Sequence, residues 1–354
     1  MKNMKKVMGF TLAGTMVMAA MTGCGGSAAK APEAPAASEA ASSAVSEAPE
    51  ETAAETADQV IYMITGQTTE YISMLVDEAK ATAEEAGYEL KVSDAAADWS
   101  KEMVLIETAQ NDNAEAIIII PSASDDVETV LDAAGDTKVV FLNRELTDVS
   151  ALDETHVYIG PDESYSGAYQ GEMLADCLNT AGKTDVNALI LTGPDTLQHS
   201  IKRTAGVKDA LAAAGINATY IEMNCQESTD VAVDEIKAAY EGKEVDFDVI
   251  ISENDAMACG AITAFEELGL DISGVPVVGI DATSDAVYNI KEGKMYGTIY
   301  QDVVQAKLAV KACINLLEGK AYNDGLDGET SADNANITLT GWEKVTAENV
   351  DSFR

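Results

Sequence analysis

From Gln59 to Arg354 short β-branched runs alternate with stretches that carry apolar residues at helical spacing, and this alternation limits the possible folds more than any other feature. Runs at Val60–Ile64, Tyr88–Val92, Ala116–Ile120, Lys138–Leu142, Val157–Ile159, Ala188–Leu191, Ala218–Ile221, Val249–Ile251, Val275–Ile280 and Thr298–Tyr300 read as strands. Between the first two, Tyr71–Ala86 puts Ile72, Leu75, Ala79 and Ala83 on one face and stops at Gly87, which predicts a helix. Ile117–Ile120 is apolar at every position, as expected of a strand covered by helices on both faces. Such alternation builds βαβ units and doubly wound parallel sheets. Roughly 300 residues exceed one comfortable core, so two similar α/β lobes are predicted.

The N-terminus reads differently. Lys2, Lys5 and Lys6 precede an apolar run, Val7–Ala20, of about 14 residues, too short to span a membrane and typical of a secretory signal. Met21-Thr22-Gly23-Cys24 follows, with small residues before the cysteine, and resembles a bacterial lipobox. That resemblance implies cleavage after residue 23, lipidation of Cys24, an extracytoplasmic location and a membrane anchor. Residues 24–58 are Ala, Ser, Pro, Glu and Thr with few bulky apolar side chains, so they are expected to form a disordered acidic tether.

The charge balance is 22 Lys plus Arg against 61 Asp plus Glu, a formal net charge of −39, which argues against a nucleic-acid partner. Apart from Cys24, the cysteines Cys177, Cys225, Cys259 and Cys313 are widely spaced with no Cys-x-x-Cys, so they are read as buried thiols rather than metal or redox groups. There is no G-x-G-x-x-G or phosphate-binding G-x-x-x-x-G-K-[ST]. His199 and Ser200 are adjacent in a helical stretch and point about 100° apart, which speaks against a Ser-His-Asp site; His199 is expected to rim the cleft or lie in solvent. No catalytic residues, cofactor or metal are expected; Asn323–Glu329 reads as a solvated turn.

Doubly wound sheets bind ligands beyond the carboxyl ends of their strands. Polar groups cluster there: Gln67–Tyr71, Ser122–Asp125, Asn143-Arg144, Pro194–Arg203, Glu222–Glu227, Ser252–Asp255, Asp281 and Gln301-Asp302. Amides, carboxylates and guanidinium groups match the paired donor and acceptor geometry of vicinal hydroxyls. Asp255 and Asp302 open helices and also fit simple capping.

Several of these segments carry a family resemblance. Val249-Ile-Ile-Ser-Glu-Asn-Asp-Ala-Met-Ala-Cys-Gly260, Val277-Val-Gly-Ile-Asp-Ala282, Gly297-Thr-Ile-Tyr-Gln-Asp302, Val139–Arg144 and Arg203–Gly206 resemble the periplasmic galactose/ribose-binding proteins, the solute receptors of sugar ABC transporters, over roughly Val60 to Gln305. The resemblance implies the type 1 periplasmic binding protein fold: two doubly wound lobes joined by three crossings and closing on one monosaccharide or related polyol. The N-terminal lobe would comprise 59–160 and 302–322, the C-terminal lobe 161–301 and 323–354. By position, Asn143 and Arg144 would bind from the first lobe, Arg203, Asn254 and Asp281 from the second, Gln301 from near the hinge, and Tyr71 would stack on a sugar face. The implied partners are a small-molecule ligand and an ABC transporter permease, with the protein a monomer and not an enzyme.

The chain also departs from that pattern. Glu227 stands where the family often places a stacking Trp, Leu197 and His199 replace an expected His and Asp, and 180–185 lacks the calcium loop of the glucose/galactose members. A carboxylate at Glu227 can accept from a hydroxyl or pair with an amine, so a nucleoside or amine-bearing ligand stays open. Ala97 replaces an expected Asn, leaving Trp99 as either a lid aromatic or an exposed helix start. Ligand presentation to a membrane sensor is the alternative function. A hydrolase lacks a nucleophile and base, and a LacI-type regulator lacks its helix-turn-helix.

Overall fold

The computed structural model describes residues 59–123, 126–240 and 247–353. The segments expected to be a signal and a tether, Cys24 of the expected lipobox, and Asp125 lie outside the described residues. The runs read as strands form β1 (Val60–Thr65), β2 (Glu89–Asp94), β3 (Ala116–Ile120), β4 (Lys138–Leu142), β5 (His156–Pro161), β6 (Asp185–Thr192), β7 (Asn217–Asn224), β8 (Val249–Ser252), β9 (Val277–Asp281) and β10 (Gly297–Gln301). Between and after them come α1 (Glu70–Glu85), α2 (Trp99–Asn111), α3 (Val127–Ala134), α4 (Ser164–Ala181), α5 (Gln198–Ala213), α6 (Thr229–Tyr240), α7 (Asp255–Leu268), α8 (Ser284–Lys291) and α9 (Val304–Leu317). The predicted first helix, 71–86, is α1, opened by Thr69, whose hydroxyl accepts from the Ile72 amide at 3.2 Å.

These elements build two α/β lobes. The first sheet has the order β11-β12-β5-β4-β3-β1-β2 and the second β13-β10-β9-β8-β6-β7, where β11 is Glu329–Thr330, β12 Ile337–Thr340 and β13 Trp342–Thr346. Pairing is parallel except for β11 with β12 and β10 with β13. In β3, Ile118 and Ile120 enter the core under α1 and α9, while Ile117 and Ile119 enter the core on the other face. Successive side chains of a strand point to opposite faces, so an unbroken apolar run feeds both cores.

The chain crosses between lobes at 162–163 into α4, at 302–303 into α9, and at Gly341 between β12 and β13. The carboxyl ends of both sheets face the gap between these crossings, so the loops after β4, β7, β8 and β9 meet there.

Three expectations change. Residues 323–354 were expected in the C-terminal lobe, but β12 lies parallel beside β5 in the first sheet and only the segment from Trp342 joins the second, antiparallel to β10. Asp255 does not cap its helix; Asn254 does, accepting from the Met257 amide at 2.9 Å, while the buried Asp255 carboxylate accepts from the Thr283 amide at 2.9 Å and the Thr298 hydroxyl at 2.7 Å. Asp302 accepts from the Val304 amide at 2.9 Å at the start of α9. Trp99 is neither lid nor exposed, since it packs half-buried against the core beneath α2 and α3. The four cysteines in the described residues are free thiols, with Cys225 and Cys313 buried and Cys177 and Cys259 partly so. No helix among the described residues is long and apolar enough to cross a membrane.

Candidate functional site

A small cavity sits between the lobes, lined by Thr69, Tyr71, Ile72, Asn143, Arg144, Glu163, His199, Arg203, Glu227, Asn254, Asp281 and Gln301. Tyr71, Asn143, Arg144, Arg203, Glu227, Asn254, Asp281 and Gln301, the residues proposed from sequence, are therefore brought together. Thr69 belongs to the Gln67–Tyr71 segment that the sequence places at the cleft, Glu163 and Ile72 do not follow from the sequence, and His199 is buried inside rather than at a rim.

The first lobe contributes the start of α1 and the turn after β4. Tyr71 packs its ring into the α1 core, and its hydroxyl accepts from Gln305 Nε2 at 2.6 Å and donates to the Gln301 carbonyl at 3.3 Å. Burial, and next the charge of Asp281, push the phenol well above its ordinary range, so it stays a neutral donor. Asn143 adopts a φ of 69°, which turns the chain sharply after β4, and its amide donates to Gln305 Oε1 at 3.2 Å. Arg144 donates through Nη1 to the Pro121 carbonyl at 3.0 Å and through Nη2 to Glu227 Oε2 at 2.8 Å.

The second lobe contributes charge. Arg203 on α5 holds Glu163 in a two-pronged pair, Nε and Nη2 donating at 2.8 and 2.7 Å, and gives Nη1 to the Glu253 carbonyl at 2.7 Å. Burial opposes the guanidinium's charge, but Glu163, and after it Asp281 and Glu227, together outweigh it and raise its pKa further. Glu227 follows β7 in a turn where Gln226 and Glu227 have φ of 55° and 58°. Its second oxygen lies 2.7 Å from His199 Nε2. Burial works against the Glu227 carboxylate, yet Arg144, His199 and Arg203 outweigh it and hold it well below the usual glutamate range. An ionised carboxylate only accepts, so Nε2 of His199 carries the proton.

Asp281 ends β9 with a φ of 124° and is 6% exposed. No donor to its carboxylate is found among the described residues. Burial first, and Asp255 second, raise it well above the ordinary aspartate range. Gln301, 1% exposed, has an Nε2 without a hydrogen-bond partner. An acceptor and a donor thus stand unused in one small cavity, a costly arrangement unless a ligand engages them. Among the described residues no cluster of His, Cys, Asp and Glu forms a metal site.

Glu163 escaped the sequence because it lies in the first crossing, where no motif marks it; the cue was its place just after a strand end that faces the cleft.

The family model for the periplasmic binding protein domain matches residues 60–321. The chain belongs to that family. A putative rhizopine-binding protein of Rhizobium meliloti is 29% identical over 241 residues, covering 66% of this chain and 76% of the relative. The ribose import binding protein of Haemophilus influenzae is 27% identical, covering 76% of this chain and 89% of its own. An ABC transporter solute binding protein from Bacillus halodurans, solved with bound myo-inositol, superposes with a TM-score of 0.69 at 26% identity, covering 83% and 96% of the two chains. The two α/β lobes are thus those of a type 1 periplasmic binding protein.

Proposed function

We propose that the protein is a lipid-anchored, extracytoplasmic receptor that captures a monosaccharide or related cyclic polyol and delivers it to an ABC transporter permease. The observation that carries this reading is Gln301 Nε2, a buried donor without a hydrogen-bond partner, in one cavity with the Asp281 carboxyl, to which no group among the described residues donates, and with ring, amide, guanidinium, imidazole and the Glu163 and Glu227 carboxylates around them. A hydroxyl-bearing ring supplies donors to Asp281, acceptors for Gln301 Nε2, and an apolar C–H face for Tyr71. Contacts from both lobes favour closure, because a ligand that touches both binds the closed state better than the open one. Binding of ribose and of myo-inositol by relatives supports the ligand class. The lipobox at Cys24 supports the anchor.

A second reading has an observation of its own. Glu163 and Glu227 are paired with Arg203 and Arg144, which leaves Asp281 as the one acid of the cavity lining without a partner among the described residues, and the cation of an amine-bearing polyol favours its ionised form.

The test is a thermal-shift screen with myo-inositol, ribose, galactose, glucosamine and adenosine, followed by calorimetry. A ligand at 100 times its dissociation constant stabilises by about 2.7 kcal/mol, several degrees in midpoint. A shift from a neutral polyol supports the first reading and one from glucosamine alone the second. A shift from adenosine alone, or no shift at all, overturns both. Radiolabelled palmitate retained by wild type but lost in Cys24→Ser checks the anchor.

A further inference from the structure

Arg144 and Glu145 are consecutive on the turn after β4, and each meets an opposite charge on the other lobe. Arg144 Nη2 donates to Glu227 Oε2 at 2.8 Å, with both side chains under a tenth exposed. Glu145 accepts from Lys202 Nζ on α5, one residue before Arg203. Neither pair exists unless the lobes meet, because each draws one partner from either side of the cleft.

Glu227 is held for this contact. Both its oxygens are engaged by protein groups, Arg144 and His199. Its turn places two successive non-glycine residues in the left-handed region, a strain that persists only where the surroundings impose it. Gly193 faces its side chain so closely that a Cβ there would lie 3.0 Å from Glu227 Cγ and 2.7 Å from Ser200 Oγ. The Glu227 carbonyl accepts from Asn254 Nδ2 at 3.5 Å.

We propose that Arg144–Glu227, backed by His199 and flanked by Glu145–Lys202, is a cross-cleft latch that favours the closed arrangement of the lobes with or without ligand. Glu227 is then a positioning residue that acts through Arg144 and not a ligand acceptor. On opening, both charges regain water, so the latch contributes less than its separation suggests. The partly exposed rim pair contributes less still. Intrinsic closure carries a functional consequence: apparent affinity scales with the fraction of molecules already competent, so the latch tightens binding without touching the ligand.

The experiment needs no ligand. Dyes attached through non-canonical residues at the exposed positions Glu107 in α2 and Glu235 in α6 report lobe separation by single-molecule energy transfer in the full chain. Wild type should show a measurable closed population. Glu227→Gln, which keeps the volume and loses the charge, should lower the closed-to-open ratio about tenfold. Lys202→Glu should lower it by less, and Lys202→Glu with Glu145→Lys should restore it, a rescue that general loss of packing would not give. A wild type that is fully open, or a Glu227→Gln ratio equal to wild type in a protein that retains its circular dichroism, overturns the latch. Because no ligand is added, failure of the polyol reading leaves the test intact.

Discussion

Burial and the neighbouring Asp255 raise Asp281 well above its ordinary value of 3.8, so the folded state favours the protonated carboxyl. Between that value and the folded pKa the native state binds the proton more than the unfolded chain does, and stability falls as pH rises through this window. Asp281→Asn removes the penalty. The variant should unfold at the same temperature as wild type near pH 3.5 and at a higher one at pH 7.5, by about 1 kcal/mol or more, while polyol binding drops at least about a hundredfold. Thermal unfolding at both pH values, with calorimetry at pH 7.5, checks it; a variant that is less stable at pH 7.5 contradicts the assignment of Asp281 as an unsatisfied acceptor. Residues of this kind were legible in the sequence because they follow strand ends, and a parallel sheet gathers its strand ends on one side. What the letters did not carry was the pairing among them. Glu227 was read as facing a ligand, whereas Arg144 and His199 take both of its oxygens, a choice made by the approach of two lobes that are distant in sequence.

The strands β1 to β10 were legible because each is a short β-branched run between helical patterns, and β11, β12 and β13 were not. Ile337–Thr340 and Trp342–Thr346 are half polar and half-buried, the second at the edge of its sheet, and nothing local says that the first pairs with β5 and the second with β10. That difference has energetic weight at the third crossing. Trp342 Nε1 donates to the Asp162 carbonyl at 2.9 Å in the first crossing, and its ring lies 5.8 Å from the Arg203 guanidinium. One side chain thus ties two crossings to a residue of the cavity. Trp342→Ala should cost about 3 kcal/mol in denaturant-induced unfolding, from lost packing and an exposed hinge carbonyl. It should also weaken polyol binding, because Arg203 loses its backing. A Trp342→Phe variant keeps the ring but not the donor and should recover most of the binding. If Phe recovers nothing, the hydrogen bond to Asp162 and not the ring carries the effect.

Across the whole molecule the net charge of −39 sets a long-range repulsion that short ion pairs do not cancel. The two kinds of electrostatics respond differently to salt. At 0.01 M ionic strength the screening length is about 30 Å, comparable to a lobe, and at 0.15 M it is about 8 Å, so most of the distant repulsion disappears over that range. A buried pair such as Arg144–Glu227, at 2.8 Å and away from solvent, is screened far less. Sodium chloride raised from 0.01 to 0.15 M should therefore raise the unfolding midpoint, and by the same increment in wild type and in Glu227→Gln. The closed-to-open ratio of ligand-free wild type should hold or increase over the same range, since the repelling surfaces come together on closure while the latch keeps its strength. A midpoint that falls with added salt would mean that exposed pairs such as Lys237–Glu267 and Lys294–Glu266 outweigh the net charge. A closed fraction that collapses by 0.15 M would place the attraction between the lobes in the partly exposed Lys202–Glu145 pair and not in the buried one.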